Sequence, residues 1–141
     1  MASNEDLTAR LAGVPLFEGL SRKELGEVLR CAGEVTHAAE HVIVREGGAG
    51  AGFHLMLEGE AVVTQRGREL RRLGPGDYFG EIALIDGSGR SATVTTATPV
   101  RTLSVTAWNF KPLLEEHPLI THKLLLELCR RLRAAEARAD A

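Results

Sequence analysis

The residues best suited to chemistry lie in one stretch, Phe79-Gly80-Glu81-Ile82-Ala83-Leu84-Ile85-Asp86-Gly87-Ser88-Gly89-Arg90-Ser91-Ala92-Thr93-Val94. Glu81 and Arg90 are nine positions apart (90 − 81 = 9) and bring one carboxylate and one permanent cation to the same segment. The planar fork of an arginine suits phosphate oxygens, and the Ser91 hydroxyl adds a neutral donor beside it. Glu81 repels phosphate, but its carboxylate accepts hydrogen bonds from a hydroxyl of the kind a ribose supplies. Glu81 through Ile85 are good helix formers for about one turn. The first turn of a helix presents unpaired N–H groups and the positive end of a dipole, and Gly80 before it lets a ligand come close to the backbone. A small ligand carrying one phosphate and one sugar hydroxyl would satisfy all of these groups.

The surrounding chain must hold those groups in place. A Gly76-Asp77 turn and two aromatics lead into Gly80. Asp86-Gly87-Ser88-Gly89 ends the helical turn with residues that tolerate left-handed backbone, and the β-branched run from Ser91 to Thr96 reads as a strand. From 34 to 105 short β-rich runs alternate with glycines, predicting strands near 34–38, 41–45, 53–57, 60–65, 68–73, 91–96 and 100–105, with Gly59, Gly67 and Gly74 at turns. That spacing predicts a jelly-roll β-barrel, in a mainly β domain with flanking α-helices.

On the N-terminal side, Ser3-Asn4-Glu5-Asp6 is a capping sequence for a helix carrying Leu7, Leu11 and Val14 and ended by Pro15. Residues 16–20 connect it to a second helix opened by the capping box Ser21-Arg22-Lys23-Glu24, lined by Leu25, Val28 and Leu29 and ending near Gly33. On the C-terminal side, Thr106 reads as the N-cap of a helix with Trp108, Phe110, Leu113 and Leu114 that stops around His117-Pro118. A last helix carries Leu124, Leu125, Leu128 and Leu132 as an apolar stripe, with Lys123, Arg130, Arg131 and Arg133 on its polar faces. The stripe suits packing on the β-domain, a lid, or a seam with a second copy of the chain.

The strings Phe79-Gly80-Glu81-Ile82-Ala83-Leu84 and Arg90-Ser91-Ala92-Thr93-Val94 resemble the phosphate-binding cassette of cyclic-nucleotide-binding domains, found in catabolite activator proteins, cyclic-nucleotide-gated channels and regulatory subunits of cAMP-dependent protein kinase. The likeness extends to Leu16-Phe17 and Leu20-Ser21 before the second helix, and to Arg45-Glu46-Gly47 and Leu57-Glu58-Gly59. It departs at Glu40, where glycine is common, and at Ala51, where aspartate is common. The resemblance implies one domain over 1–141, with an N-terminal helical segment (1–33), a β-barrel (34–105) containing the cassette (79–94), and C-terminal hinge and lid helices (106–141). It implies that Glu81 holds the ribose 2′-hydroxyl, that Arg90 and Ser91 hold the cyclic phosphate, and that the backbone of Gly80, Ile82, Ala83 and Ala92 completes the cradle. Val62, Leu70 and Phe79 are the expected apolar walls for the base, with Arg130 or Arg133 over it from the lid. In that family a hydroxyl residue after the arginine can bind the guanine amino group, so Ser91 permits cGMP; without an acidic lid residue placed to select guanine, cAMP is expected ahead of it.

Composition sets the frame. With 141 residues, 44% hydrophobic and 26% charged, the chain is of ordinary domain size and globular composition. A formal net charge of −2 gives no support for a nucleic-acid or anionic-membrane surface, and no apolar run reaches the ~18 residues of a membrane span. Cys31 and Cys129 lack metal-type spacing, and a reducing, cytoplasmic setting is expected. The glycine-rich 47–52 stretch has no Gly-Lys-Ser/Thr after it, which makes it a hairpin loop and not a P-loop. His54 with Glu58 is the nearest approach to a cupin metal motif, but a His-X-His pair and a later strand histidine are missing, and there is no nucleophile elbow. No catalysis, metal or cofactor is therefore expected.

No helix-turn-helix follows the last helix, so the expected protein is a stand-alone sensor that signals to a separate, unidentified effector protein, with a homodimer through the C-terminal helix as a further expectation. The alternative from another class is a nucleotide-independent interaction or dimerisation scaffold with a vestigial pocket.

Overall fold

A computed structural model describes residues 3–48 and 52–140. Positions 49–51 of the expected hairpin loop, and with them the departure at Ala51, lie outside the described residues. The chain divides into two compact units: Arg30–Lys111, and the N-terminal segment to Leu29 together with the chain from Pro112 onward.

Among the described residues the Arg30–Lys111 unit holds eight strands: β1 (Ala32–His37), β2 (Val42–Val44), β3 (Gly52–Glu58), β4 (Ala61–Gln65), β5 (Arg68–Leu73), β6 (Tyr78–Phe79), β7 (Thr93–Thr96) and β8 (Val100–Thr106). They pair antiparallel in two sheets, ordered β1-β8-β3-β6 and β2-β7-β4-β5. The expected jelly roll is present as a sandwich of two sheets without a closed barrel. Alternation explains the pairing of faces: Ala61, Val63, Leu73 and Val94 from one sheet meet Met56, Phe79 and Val100 from the other in a single apolar cluster. Thr96 is buried within this unit, with its hydroxyl donating to the Ala38 carbonyl at 2.6 Å and accepting from the His41 amide at 2.8 Å. Such pairing removes most of the penalty of a buried hydroxyl.

Several boundaries differ from expectation. β1 starts at Ala32, so Gly33 lies inside a strand opposite Ser104. The strand after the cassette starts at Thr93, two residues later than expected, and the strand that leads into Gly80, β6, is only two residues long. Glu40 takes φ 57°, the left-handed region that a glycine would occupy without strain, so the turn survives the substitution at a cost of about 1 kcal/mol.

In the other unit, α1 (Asn4–Ala12) is capped by Ser3, whose hydroxyl accepts from the Asp6 amide at 3.2 Å. α1 ends at Gly13, and Pro15 opens a 3-10 turn (Pro15–Phe17) instead of terminating the helix. α2 (Arg22–Arg30) shows the capping box in both directions, the Ser21 amide donating to Glu24 Oε1 at 2.8 Å and the Glu24 amide to Ser21 Oγ at 3.2 Å. Within the first unit's loop-and-helix insertion lies α3 (Glu81–Asp86); α4 (Ala107–Glu116) carries the chain out of that unit, and α5 is Pro118–Asp140.

Phe110 and Leu113 of α4 are buried as expected, but Trp108 is 68% exposed. On α5 the expected stripe divides: Leu124 is buried and Leu128 half-buried, while Leu125, Leu132, Leu119 and Leu126 are exposed. Three acid–base pairs tie α5 and its approach to the N-terminal segment: Lys123 to Glu24 at 2.7 Å, Arg130 to Glu18 at 3.2 Å and His117 to Glu27 at 3.7 Å. Each contributes little alone, since all are at least partly solvated.

Candidate functional site

The cassette begins where β6 ends. Gly80 has φ 85°, and a Cβ there would run into the Gly52 carbonyl oxygen and the Arg90 guanidinium. Only glycine fits both the backbone angle and the space. α3 follows immediately, with the Leu84 amide donating to the Gly80 carbonyl at 3.0 Å, so the first amides of the turn are left without intrahelical partners. Gly87, at φ 68°, closes the turn by donating its amide to Ala83 O at 2.8 Å. The Asp86 carboxylate accepts the Ser88 amide at 2.8 Å, which holds its pKa below the usual value and shapes the loop toward Arg90.

Arg90 is fixed at both its backbone and its side chain. Its carbonyl accepts from the Gly47 amide at 2.9 Å and its amide donates to the Gly48 carbonyl at 3.1 Å. Nη2 donates to the Gly52 carbonyl, whereas Nε is buried with no partner among the described residues. Burial lowers the guanidinium pKa and the charge of the Glu81 carboxylate partly restores it. A partly desolvated cation with a spare donor is primed for an anion that completes its hydrogen bonds.

A cavity of about 530 Å³ opens at these residues, within the range that accommodates a nucleotide-sized ligand. Phe79, Gly80, Glu81, Arg90, Ser91 and Ala92 line it. Ile82 and Ala83 do not; Ala83 is buried and Ile82 is 43% exposed. The expected base walls Val62 and Leu70 also lie outside the lining, and Val63 and Arg71 take their places. Val62 is on the opposite face of β4 from Val63, and Leu70 is the extra residue of a β-bulge between the pairs Val63–Arg71 and Thr64–Glu69, which leaves it 55% exposed. Parity with the buried Ala61 and Leu73 was the signal that identifies Val63 and Arg71. Val44, Asp77, Tyr78 and Val94 complete the wall and were not singled out from sequence.

Arg130 and Arg133 belong to the other unit, where Arg130 donates to Glu127 at 2.5 Å and to Glu18 at 3.2 Å and Arg133 is exposed.

Behind the cavity wall, the His54 ring stacks on Phe79 with centroids 4.9 Å apart, and its Nδ1 is 2.8 Å from Ser104 Oγ. Burial first, then the nearby Arg90 and His37 charges, push its pKa down to about 4, so it is a neutral support for Phe79. Among the described residues no group of three or more His, Cys, Asp or Glu is placed to hold a metal ion, and no helix is long and apolar enough to cross a membrane.

Known proteins share this arrangement. The family model described as the cyclic nucleotide-binding domain matches residues 34–117. A cyclic nucleotide-gated potassium channel of Rhizobium etli is 38% identical over 114 residues, covering 81% of this chain and 32% of the channel. A cyclic AMP receptor protein of Thermus thermophilus is 31% identical over 92% of this chain and 62% of its own length. The crystal structure of the N-terminal domain of a transcriptional regulator from Streptomyces coelicolor superposes with a TM-score of 0.82 at 31% identity, covering 89% of this chain and 94% of that domain. The chain thus spans about a third of the channel and less than two thirds of the receptor protein. With its cassette, its sandwich and these relatives in agreement, the chain belongs to the cyclic nucleotide-binding domain family.

Proposed function

We propose that this chain is a non-catalytic cyclic-nucleotide sensor that takes cAMP as a ligand and passes its occupancy to a separate effector protein. The observation that carries this reading is the half-buried Arg90, set against Gly80 at the cavity with its buried Nε unpaired among the described residues. Arg90 and Ser91 would take the cyclic phosphate together with the backbone of Gly80, Ile82, Ala83 and Ala92, and Glu81 would take the ribose 2′-hydroxyl. The name of the Thermus thermophilus relative, a cyclic AMP receptor protein, favours cAMP as the first ligand to test. Titration calorimetry of the purified, nucleotide-free protein is expected to give micromolar or tighter binding. No heat and no thermal stabilisation would leave the scaffold alternative.

The signal in this reading is closure of α5 as a lid, with the exposed Leu119, Leu125, Leu126 and Leu132 as the surface offered to the effector or to a second copy. A ligand shifts such an equilibrium only through its differential affinity for the two states. Saturating cAMP is therefore expected to raise hydrogen-exchange protection of 118–135, and unchanged protection there alongside intact binding would remove the lid mechanism. The cytoplasm, where cyclic nucleotides are made and read, is the proposed location.

A further inference from the structure

The back of the cavity wall carries a titratable group that the proposed function leaves unused. His54 pairs with Phe79 across β3 and β6, and their rings stack with centroids 4.9 Å apart, so the imidazole lies directly behind a ring that lines the cavity. Arg90 reaches the same strand. Its Nη2 donates to the carbonyl of Gly52, two residues before His54 and about 7 Å along β3. Its guanidinium also lies against Gly80, the residue after Phe79. The phosphate end of the cavity and the imidazole are therefore neighbours.

A row of polar groups joins His54 to the surface of the sheet β1-β8-β3-β6. Its Nδ1 is 2.8 Å from Ser104 Oγ, which is 2.9 Å from Thr102 Oγ1, which in turn is 3.5 Å from His37 Nε2. The His37 ring stacks on that of the exposed His41 at 5.4 Å. A hydroxyl both donates and accepts, so reorienting Ser104 and Thr102 lets the imidazole carry one proton or two without stranding a polar atom. Each element packed against the ring has its part: β6 contributes Phe79, β8 the two hydroxyls, β1 His37 and the cassette loop Arg90. What opposes the second proton is burial first, then the charges of Arg90 and His37.

We propose that nucleotide binding at this cavity is coupled to uptake of a proton by His54, so that affinity for a cyclic nucleotide rises as the pH falls; the proposal rests on the cyclic-nucleotide reading above. A bound phosphate brings a negative charge to Arg90, and the pair no longer repels a proton on the ring as the guanidinium alone does. The proton comes from solvent and adds to the ring nitrogen that lacks one, and no other bond changes. Burial remains the larger cause, so in the complex the His54 pKa stays below the ordinary 6.5 while rising above about 4. With the higher value in the bound state, affinity is flat at neutral pH, climbs as the pH falls through that value and levels off below about 4. By reciprocity the climb equals the factor by which the nucleotide tightens the proton.

Nitrogen NMR of the imidazoles in the full chain, from pH 7.5 to 4, tests this without nucleotide, with saturating cAMP, and with adenosine, which keeps base and sugar but lacks the phosphate. The His54 midpoint is expected to move up by about 0.5 pH or more with cAMP, equivalent to about threefold in affinity, and to stay in place with adenosine. A midpoint that stays or falls with cAMP bound overturns the proposal, and an equal rise with adenosine does so too, by assigning the effect to ring packing. Calorimetry of cAMP binding at pH 5 in two buffers of different ionisation enthalpy is expected to show net uptake of part of a proton, which His54→Gln loses. Uptake undiminished in that variant overturns the assignment to His54. Binding of neither cAMP nor cGMP to wild type removes the cyclic-nucleotide reading itself, and the linkage with it.

Discussion

Arg90→Ala is expected to weaken binding of cAMP and cGMP alike by at least a hundredfold. A charge-assisted hydrogen bond contributes about 1.5–3 kcal/mol, and a fork that makes two of them to one phosphate contributes about 3–6 kcal/mol, or roughly 10²- to 10⁴-fold in affinity. The upper half of that range is favoured by the setting. The guanidinium is already partly desolvated in the folded chain, in line with the downward shift of its pKa, so less water must be stripped from it when a phosphate arrives. It is also already oriented by the Gly52 carbonyl and by the backbone bonds to Gly47 and Gly48, which spares most of the ordering cost. Arg90→Lys keeps the charge without the fork and is expected to recover only part of the loss. Ligand-induced thermal stabilisation, about 2.7 kcal/mol at a hundred times the dissociation constant in wild type, should vanish in the alanine variant at the same concentration. Binding within threefold of wild type would show that the phosphate sits elsewhere.

The cassette was legible in the sequence because its chemistry is local. Gly80, Glu81, Arg90 and Ser91 fall within twelve residues, 80 to 91, and both turn glycines adopt the left-handed backbone their neighbours imply. Helix starts were legible for the same reason, since the Ser21–Glu24 box closes within four residues. The far end of the cavity was not, because it depends on which face of β4 and β5 turns inward. Leu70 is apolar and exposed, Arg71 is charged and lines the cavity, and the bulge between them and β4 cannot be read from hydrophobicity. The same limit applies to α5, whose leucines cover more of the helix surface than one buried stripe. Leu124 is buried while Leu125 and Leu132 are exposed. Arg130 was read as a lid residue, but its partner Glu18 lies 112 positions away, a contact that no local pattern announces.

His54 is expected to make the protein lose stability in mild acid, well before the carboxylates titrate. Its folded pKa of about 4 lies below the ordinary value of 6.5. The unfolded chain therefore takes up the proton first as pH falls, and the stability held above pH 6.5 is lost progressively down to about pH 4. That interval corresponds to about 3 kcal/mol, or a fall in Tm of roughly 6–12 °C for a chain of this size. His37, lowered by burial and by the neighbouring His41, acts in the same direction. Glu24, held down by Lys123 and Ser21, contributes loss only below its ordinary 4.5, so the two windows overlap only at the acid end of the His54 window. Urea unfolding from pH 7.5 to 4 should show the slope, and His54→Gln, which keeps a hydrogen-bonding side chain beside Ser104, should flatten it whatever its effect at pH 7.5. An equal slope in wild type and variant would place the titrating group elsewhere. Arg90 is the second cause of the His54 shift, after burial, so Arg90→Ala should shorten the acid limb as well as weaken binding. Removing the cation raises the folded pKa of His54 toward 6.5 and makes the protein less sensitive to acid. One substitution thus reads both properties, since the same guanidinium that would hold the phosphate also keeps the histidine behind Phe79 neutral.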